Sequence, residues 1–247
     1  MERITSKQNP LLQQIRRLQT SRSARYESGC FVAEGTKLYK EALAWYPEIE
    51  TVIVSEGVEA EVPQGVRCIS VPESLMKSIS AQEKPQGVMF VCRMPQPKPL
   101  ALHGGCLILD GIQDPGNLGT ILRTADALDV PVVLSEGCAD PYSDKTVRAS
   151  MGAVFRTQPQ QASREEILAC CRAGGIALAV TALSDRASDI READLGAYAM
   201  VIGSEGRGVC SEFLQAAQQE LIIPMNPRCE SLNAAVAATI VMWQMKR

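Results

Sequence analysis

The stretch CLILDGIQDPGNLGTILRTAD, residues 106–126, sets how the second half of the chain is read. Its apolar run, Cys106 to Leu109, is a strand candidate. The run stops at Asp110-Gly111, and a polar loop carrying Pro115 and Gly116 follows. Leu118, Ile121, Leu122 and Ala125 then recur at helical spacing, with Asn117 as the expected N-cap. Strand, loop and helix in succession make a βα unit. Further apolar runs at 130–134, 176–180, 200–203 and 221–223 alternate with helices expected near 117–128, 164–173, 210–217 and 231–245. Such alternation predicts a parallel sheet covered on both faces, with ligands bound outside the carboxyl ends of its strands.

Working outward, Met94-Pro95-Gln96-Pro97-Lys98-Pro99 is a stiff, extended boundary. It divides the chain into residues 1–94, a linker at 95–100, and residues 101–247. The first part is also expected to be α/β. Asn9-Pro10 opens a helix with Leu11, Leu12, Ile15 and Leu18 on one stripe. Apolar runs at 30–33, 51–54, 68–71 and 88–92 are its strand candidates, with helices near 36–45 and 72–79.

The 247 residues carry a formal net charge of -3, so the protein is not a globally basic nucleic-acid coat. The charge is nonetheless uneven. Residues 1–26 hold Arg3, Lys7, Arg16, Arg17, Arg22 and Arg25 against Glu2 alone, whereas 101–247 are net acidic. The basic arm reads either as a polyanion grip or as the solvated face of an amphipathic helix. The nine cysteines are scattered, contain no C-x-x-C, and mostly sit in apolar runs. They read as buried reduced thiols, with neither a metal nor a thiol nucleophile expected. His103 is the only histidine. No secretory leader and no membrane-spanning run is apparent, so a cytoplasmic location is expected.

Three loops end predicted strands. In the first, Arg123 either pairs with a neighbour such as Asp126 or waits for an anion. The second, Gly203-Ser204-Glu205-Gly206-Arg207-Gly208, is neither a dinucleotide fingerprint nor a P-loop. It is either a plain tight turn or a place where backbone approaches a ligand closely. The third runs from Ile222 through Pro224, Pro227 and Ser231 to Asn233. Ser231 is the expected cap of an almost wholly apolar final helix, and Asn233 could simply hydrogen-bond loop backbone.

In order, DPGNLGTILRTAD (114–126), IGSEGRGV (202–209) and IIPM…ESLNAAVA (222–237) resemble the SpoU/TrmH family of RNA 2′-O-ribose methyltransferases, within the SPOUT superfamily. The segment ITSKQNPLL…FVAEGTKLYKEAL (4–43) is similar to that family's substrate-binding domain, a ribosomal-protein-like α/β module. The resemblance implies a C-terminal α/β domain whose parallel sheet is tied in a trefoil knot. It also implies S-adenosylmethionine as methyl donor, RNA as substrate (most readily ribosomal RNA) and a homodimer. Carried over, Gly203, Ile223, Met225 and Leu232 would bind the cofactor. Asn117, Arg123, Glu205, Ser231 and Asn233 would form the reaction centre, and Arg16, Arg17, Arg22 and Arg25 would contact RNA phosphates. Two departures stand out: the family often has Gly where this chain has Asp129 and Pro227.

Arg stays charged at neutral pH, so Arg123 is expected to bind the target phosphate and stabilise a developing alkoxide rather than act as a base. Asn117 and Asn233 would orient the hydroxyl, and Glu205 would hold Arg123 or a loop amide. The competing readings are a tRNA methyltransferase, an RNA-binding assembly factor without catalysis, and a nucleotide-binding oxidoreductase.

Overall fold

A computed structural model describes residues 1–247, which form two compact units. The first holds Met1–Gln96 together with Tyr142–Arg156; the second holds Pro97–Pro141 and Thr157–Arg247. The expected C-terminal block of 101–247 therefore lends fifteen residues, 142–156, to the first unit.

The first unit runs β1 (Glu2–Arg3), α1 (Pro10–Thr20), α2 (Arg22–Ser28), β2 (Cys30–Glu34), α3 (Thr36–Trp45), β3 (Ile49–Ser55), β4 (Arg67–Val71), α4 (Glu73–Ile79) and β5 (Val88–Arg93). Its sheet is mixed, in the order β1-β4-β3-β5-β2. Alternate residues face opposite ways. Val32, Ile53, Met89 and Val91 pack with Leu12, Ile15 and Leu18 of α1 and with α4. Phe31, Val52, Val54 and Phe90 pack on the other side with α3.

The second unit begins with β6 (Leu107–Asp110), α5 (Pro115–Ala127) and β7 (Val132–Leu134). The chain then supplies α6 (Asp144–Ala149) and α7 (Ala153–Arg156) to the first unit. Tyr142 and Phe155 explain why. Their rings lie 5.0 and 6.3 Å from that of Phe31, completing an apolar face that α3 alone leaves uncovered.

Back in the second unit come β8 (Gln160–Gln161), α8 (Arg164–Gly174), β9 (Leu178–Thr181), β10 (Ser188–Asp189), β11 (Ala199–Gly203), α9 (Ser211–Ala216), β12 (Gln219–Ile222) and α10 (Ala234–Met245). The seven strands are all parallel, in the order β10-β12-β9-β11-β6-β7-β8. Leu107, Leu109, Met200 and Ile202 face α5 and α10, while Cys106, Ile108, Val201 and Val180 face α8 and α9. Parallel strands put all their carboxyl ends on one edge, which gathers the three loops singled out above.

Two expected helix starts are corrected. α5 is capped by Asp114, whose side chain accepts from the Asn117 N–H at 2.8 Å, with Pro115 in the first turn. The pre-set φ of Pro115 suits that position, so the helix starts earlier and the Asn117 side chain is freed from capping. α10 is capped by Asn233, not Ser231. Both departures from the family pattern have a local basis. Asp129 takes φ +50, a left-handed conformation that Asp tolerates better than most residues. Pro227 is the second residue of a turn closed by Cys229 N–H to Asn226 O at 2.8 Å, a place that suits proline and needs no donor from it. All nine cysteines are free, with only Cys229 exposed. No helix is long and apolar enough to cross a membrane.

Candidate active site

The centre of the site is a ring of hydrogen bonds among four residues from three stretches far apart in sequence. Glu205 Oε1 accepts from Asn117 Nδ2 at 3.0 Å and from the backbone N–H of Ala234 at 2.7 Å. Asn233 Nδ2 donates to Asn117 Oδ1 at 3.0 Å. Asn233 Oδ1 accepts from the N–H groups of Ala235 and Val236, at 3.0 and 3.3 Å. Capping thus dictates the whole orientation. Because Asn233 Oδ1 is held by α10, its amide nitrogen must face Asn117, and the amide nitrogen of Asn117 must face Glu205. The Glu205 carboxylate also sits at the positive end of α10. Its second oxygen, Oε2, has no partner in the chain.

The Gly203–Gly208 loop separates two cavities. It is a tight turn closed by Gly208 N–H to Ser204 O at 2.8 Å, and Gly208 takes φ +66. A cavity of about 560 Å³ lies on one side, walled by Ile202, Gly203, Ile223, Met225, Ser231 and Leu232 among others. A second of about 280 Å³ lies on the other, bounded by Ile112, Gln113, Asp114 and Asn117. Ser204, Glu205, Gly206, Arg207 and Ala234 line both. The larger volume is within the range of a small-molecule site. A Cβ on Gly203 would stand 2.0 Å from the carbonyl carbon of Gly208, so only glycine lets the loop fold back at this wall.

Every residue expected to bind cofactor therefore meets in one cavity. Asn117, Glu205 and Asn233 meet in one network. Glu205 holds neither Arg123 nor a loop amide; its backbone partner is the Ala234 N–H, the first of α10. Arg123 is not brought to either cavity. It is exposed on α5, two-thirds of a turn out of phase with Asn117, and makes no ion pair or hydrogen bond.

In the first unit the arginines separate. Arg17 is exposed and unpaired, Arg22 lies over the Tyr26 ring at 5.3 Å, and Arg16 is half-buried with Nη2 3.2 Å from Ser78 Oγ. Arg25 is a correction: it is 4% exposed, and its guanidinium donates to the Leu18 carbonyl. It belongs to the packing of α1 on α2, not to an open surface.

Sequence reasoning missed three features of the site. The Ala234 amide acts through its backbone, which no side-chain letter announces. Also lining the larger cavity, Glu220 accepts from Ser184 Oγ and pairs with Arg186 at 2.7 Å. Glu220 lies just before the apolar run 221–223, inside the observed β12, and the position of that pair is set only when β9 and β12 come together. Arg207, noticed on its turn but given no role, borders both cavities, with its backbone N–H bonded to Ser204 Oγ. His103 contacts only the carbonyl of Gly104, and no cluster of side chains in the chain could hold a metal.

Comparison with known proteins agrees with this geometry. The sequence pattern of the SpoU rRNA Methylase family matches residues 105–243, and that of the MRM3-like substrate binding domain matches residues 9–89. A Bacillus subtilis protein, 23S rRNA (guanosine(2553)-2′-O)-methyltransferase RlmP, is 31% identical over 100% of both chains. The human mitochondrial rRNA methyltransferase 3 is 28% identical, over 92% of this chain and 70% of its own length. Among solved structures, an AdoMet-bound rRNA methyltransferase from Sinorhizobium meliloti superposes with a TM-score of 0.88. It is 31% identical and covers 100% of this chain and 97% of its own. A TrmH-family RNA methyltransferase from Porphyromonas gingivalis gives 0.85 at 34% identity, over 96% of each chain.

Proposed function

The chain belongs to the SpoU rRNA methylase family, and we propose that it methylates a ribose 2′-hydroxyl of ribosomal RNA with S-adenosylmethionine as donor. The observation that carries this is the loop 203–208, which forms a common wall to a ligand-sized cavity and to a smaller one that borders Asn117. The larger cavity fits the donor. Its volume is adequate, Ile223 and Leu232 offer apolar surface, and the close packing of Gly203 on the Gly208 backbone shapes its wall. When bound, S-adenosylmethionine supplies an already activated methyl group.

The chain's own work is positioning, which can supply up to ~7–11 kcal/mol of barrier reduction. Asn117, locked by Glu205 and Asn233, presents a fixed amide edge beside the smaller cavity. Glu205 Oε2, free of internal partners, is the acceptor available to the sugar hydroxyl. Ser231, which lines the larger cavity, borders the donor. Arg123, exposed and unpaired outside both cavities, is assigned to the phosphate of the target nucleotide and not to the developing alkoxide.

RNA is held by the first unit through Arg17 and Arg22, with Arg16 beside them. We assign the protein to the cytoplasm, its second unit to the trefoil-knotted class, and its active form to a homodimer. For the dimer, Val236 and Trp243 are 49% and 65% exposed and lie two turns apart on α10, an apolar stripe suited to a second copy.

The test compares 2′-O-methyl marks across all RNA from a deletion strain and its parent. Loss of one mark in ribosomal RNA, restored by the purified protein with S-adenosylmethionine, is the expected result. Loss confined to tRNA, or no loss at all, refutes the assignment.

A further inference from the structure

Asp110 is the last residue of β6 and is 3% exposed, yet neither cavity touches it. A buried carboxylate is costly unless it is paired and fully hydrogen-bonded. Here Oδ1 accepts from Ser135 Oγ at 2.7 Å and from Arg164 Nε at 2.9 Å. Oδ2 accepts from the backbone N–H of Cys210 at 2.8 Å. Burial pushes this carboxyl up, but those bonds outweigh it and hold the group below the usual carboxylate range.

The division between the two oxygens is informative. Oδ1 serves the sheet edge and α8. Oδ2 serves the residue at which the 203–210 loop ends. That loop begins at Gly203, which pairs in register with Asp110 itself across the β6–β11 ladder. One residue thus stands at both ends of the loop, beside its entry in the ladder and bonded to its exit through the side chain. Between those ends the loop's other tie to the body of the unit through a hydrogen bond is Glu205, bonded to Asn117 and Ala234.

Resting on the reading that the larger cavity takes S-adenosylmethionine, we infer that Asp110 is a positioning residue for methyl transfer, clamping the 203–210 loop in the shape that walls both cavities. It touches no reactant. Arg164 supplies the charge that lets the clamp be a carboxylate in a buried place, and Ser135 completes the Oδ1 side.

Substitution can separate the clamp from mere stability. In Asp110→Asn the amide oxygen stays toward Arg164 and Ser135, which are both donors. The amide nitrogen is then forced against the Cys210 N–H, donor against donor. Ser135→Ala removes one bond from the other oxygen and leaves the loop's anchor intact.

The experiment measures S-adenosylmethionine affinity by calorimetry, kcat and KM for methyl transfer, and hydrogen exchange of amides 203–210, all on the full chain. Asp110→Asn should weaken cofactor binding and raise its KM by about tenfold or more, the scale of a hydrogen bond to a charged group. Its kcat should fall less, and its loop amides should exchange faster. Ser135→Ala should lower the melting temperature while leaving affinity and loop exchange as in the parent.

Unchanged affinity and loop exchange in folded Asp110→Asn overturns the clamp, as does an equal loosening of the loop in Ser135→Ala. Should Asp110→Asn fail to fold, the parent protein decides: a Cys210 amide exchanging as fast as that of Gly206 overturns it. A parent protein that binds no S-adenosylmethionine refutes the cavity's assignment instead, and loop exchange in the variant still judges the clamp.

Discussion

A single methyl group added at Gly203 should disable the site, whereas the same group added three residues later should leave the stability of the fold unchanged. An ideal Cβ at Gly203 would lie 2.0 Å from the Gly208 carbonyl carbon, 2.1 Å from its oxygen and 2.2 Å from the Val209 nitrogen. All three are backbone atoms, so none can rotate aside. The returning limb of the loop must retreat by about 1 Å at the least, and a misplacement of ~1 Å at a reactive site can cost about 100-fold. That factor corresponds to ~2.7 kcal/mol of lost binding or transition-state stabilisation. Overpacking should itself cost ~1–3 kcal/mol, lowering the melting temperature by several degrees without unfolding the protein. Gly206 provides the control for stability, because no atom of the chain lies within 4 Å of its Cβ position and its φ is not in the left-handed region, so Gly206→Ala should melt as the parent does. Calorimetry with S-adenosylmethionine should find Gly203→Ala weakened by about two orders of magnitude. Near-normal affinity in Gly203→Ala would show that the backbone approach at β11 does not shape the cavity.

Asn233→Asp keeps the acceptor that caps α10 but loses the donor to Asn117 Oδ1, so thermal stability should hold while methyl transfer falls by about tenfold or more. Unchanged methyl transfer in the stable variant would mean that capping is the residue's only role. Arg17→Glu should weaken RNA binding and flatten its salt dependence by roughly one phosphate contact, whereas Arg25→Ala should lower the melting temperature and leave the salt slope of the folded protein unchanged. Titration provides a third check, because the two units carry opposite signs. The depressed pKa of Asp110 stabilises the second unit fully above the ordinary Asp value of ~3.9, and that contribution is lost as pH falls through the lower folded value. Burial raises Glu34, so its contribution favours the first unit at low pH and is lost as pH rises through the raised value. Glu34→Gln should therefore look more stable relative to the parent at neutral pH than at acid pH; a difference in melting temperature that does not move with pH would contradict this.

Local signals were legible where cap and proline coincide at the place the spacing predicts. Asn9-Pro10 opens α1 there, with the Asn9 side chain accepting from the Leu11 N–H and Pro10 already shaped for the first turn. Around residue 114 two capping residues compete, and Asp114-Pro115 prevails over Asn117 because Pro115 is already shaped for the first turn. Near α10 Ser231 and Asn233 compete. Asn233 takes the cap, and its amide is then aligned with a side chain 116 positions away. Arg25 looked like its neighbours in charge, but packing of α2 against α1 turned it inward to the Leu18 carbonyl.

By itself the sequence determined the alternation of strands and helices, the order of the three loops and the residue types they carry, since apolar periodicity and turn chemistry act over a few residues. Only the tertiary structure decided that residues 142–156 complete the first unit, that Glu205 joins Asn117 to the start of α10, and that Asp110 serves the exit of a loop one hundred residues away. The reason is physical: a buried polar group or an uncovered aromatic face must find its partner in space, and which partner arrives depends on how the sheet orders its strands.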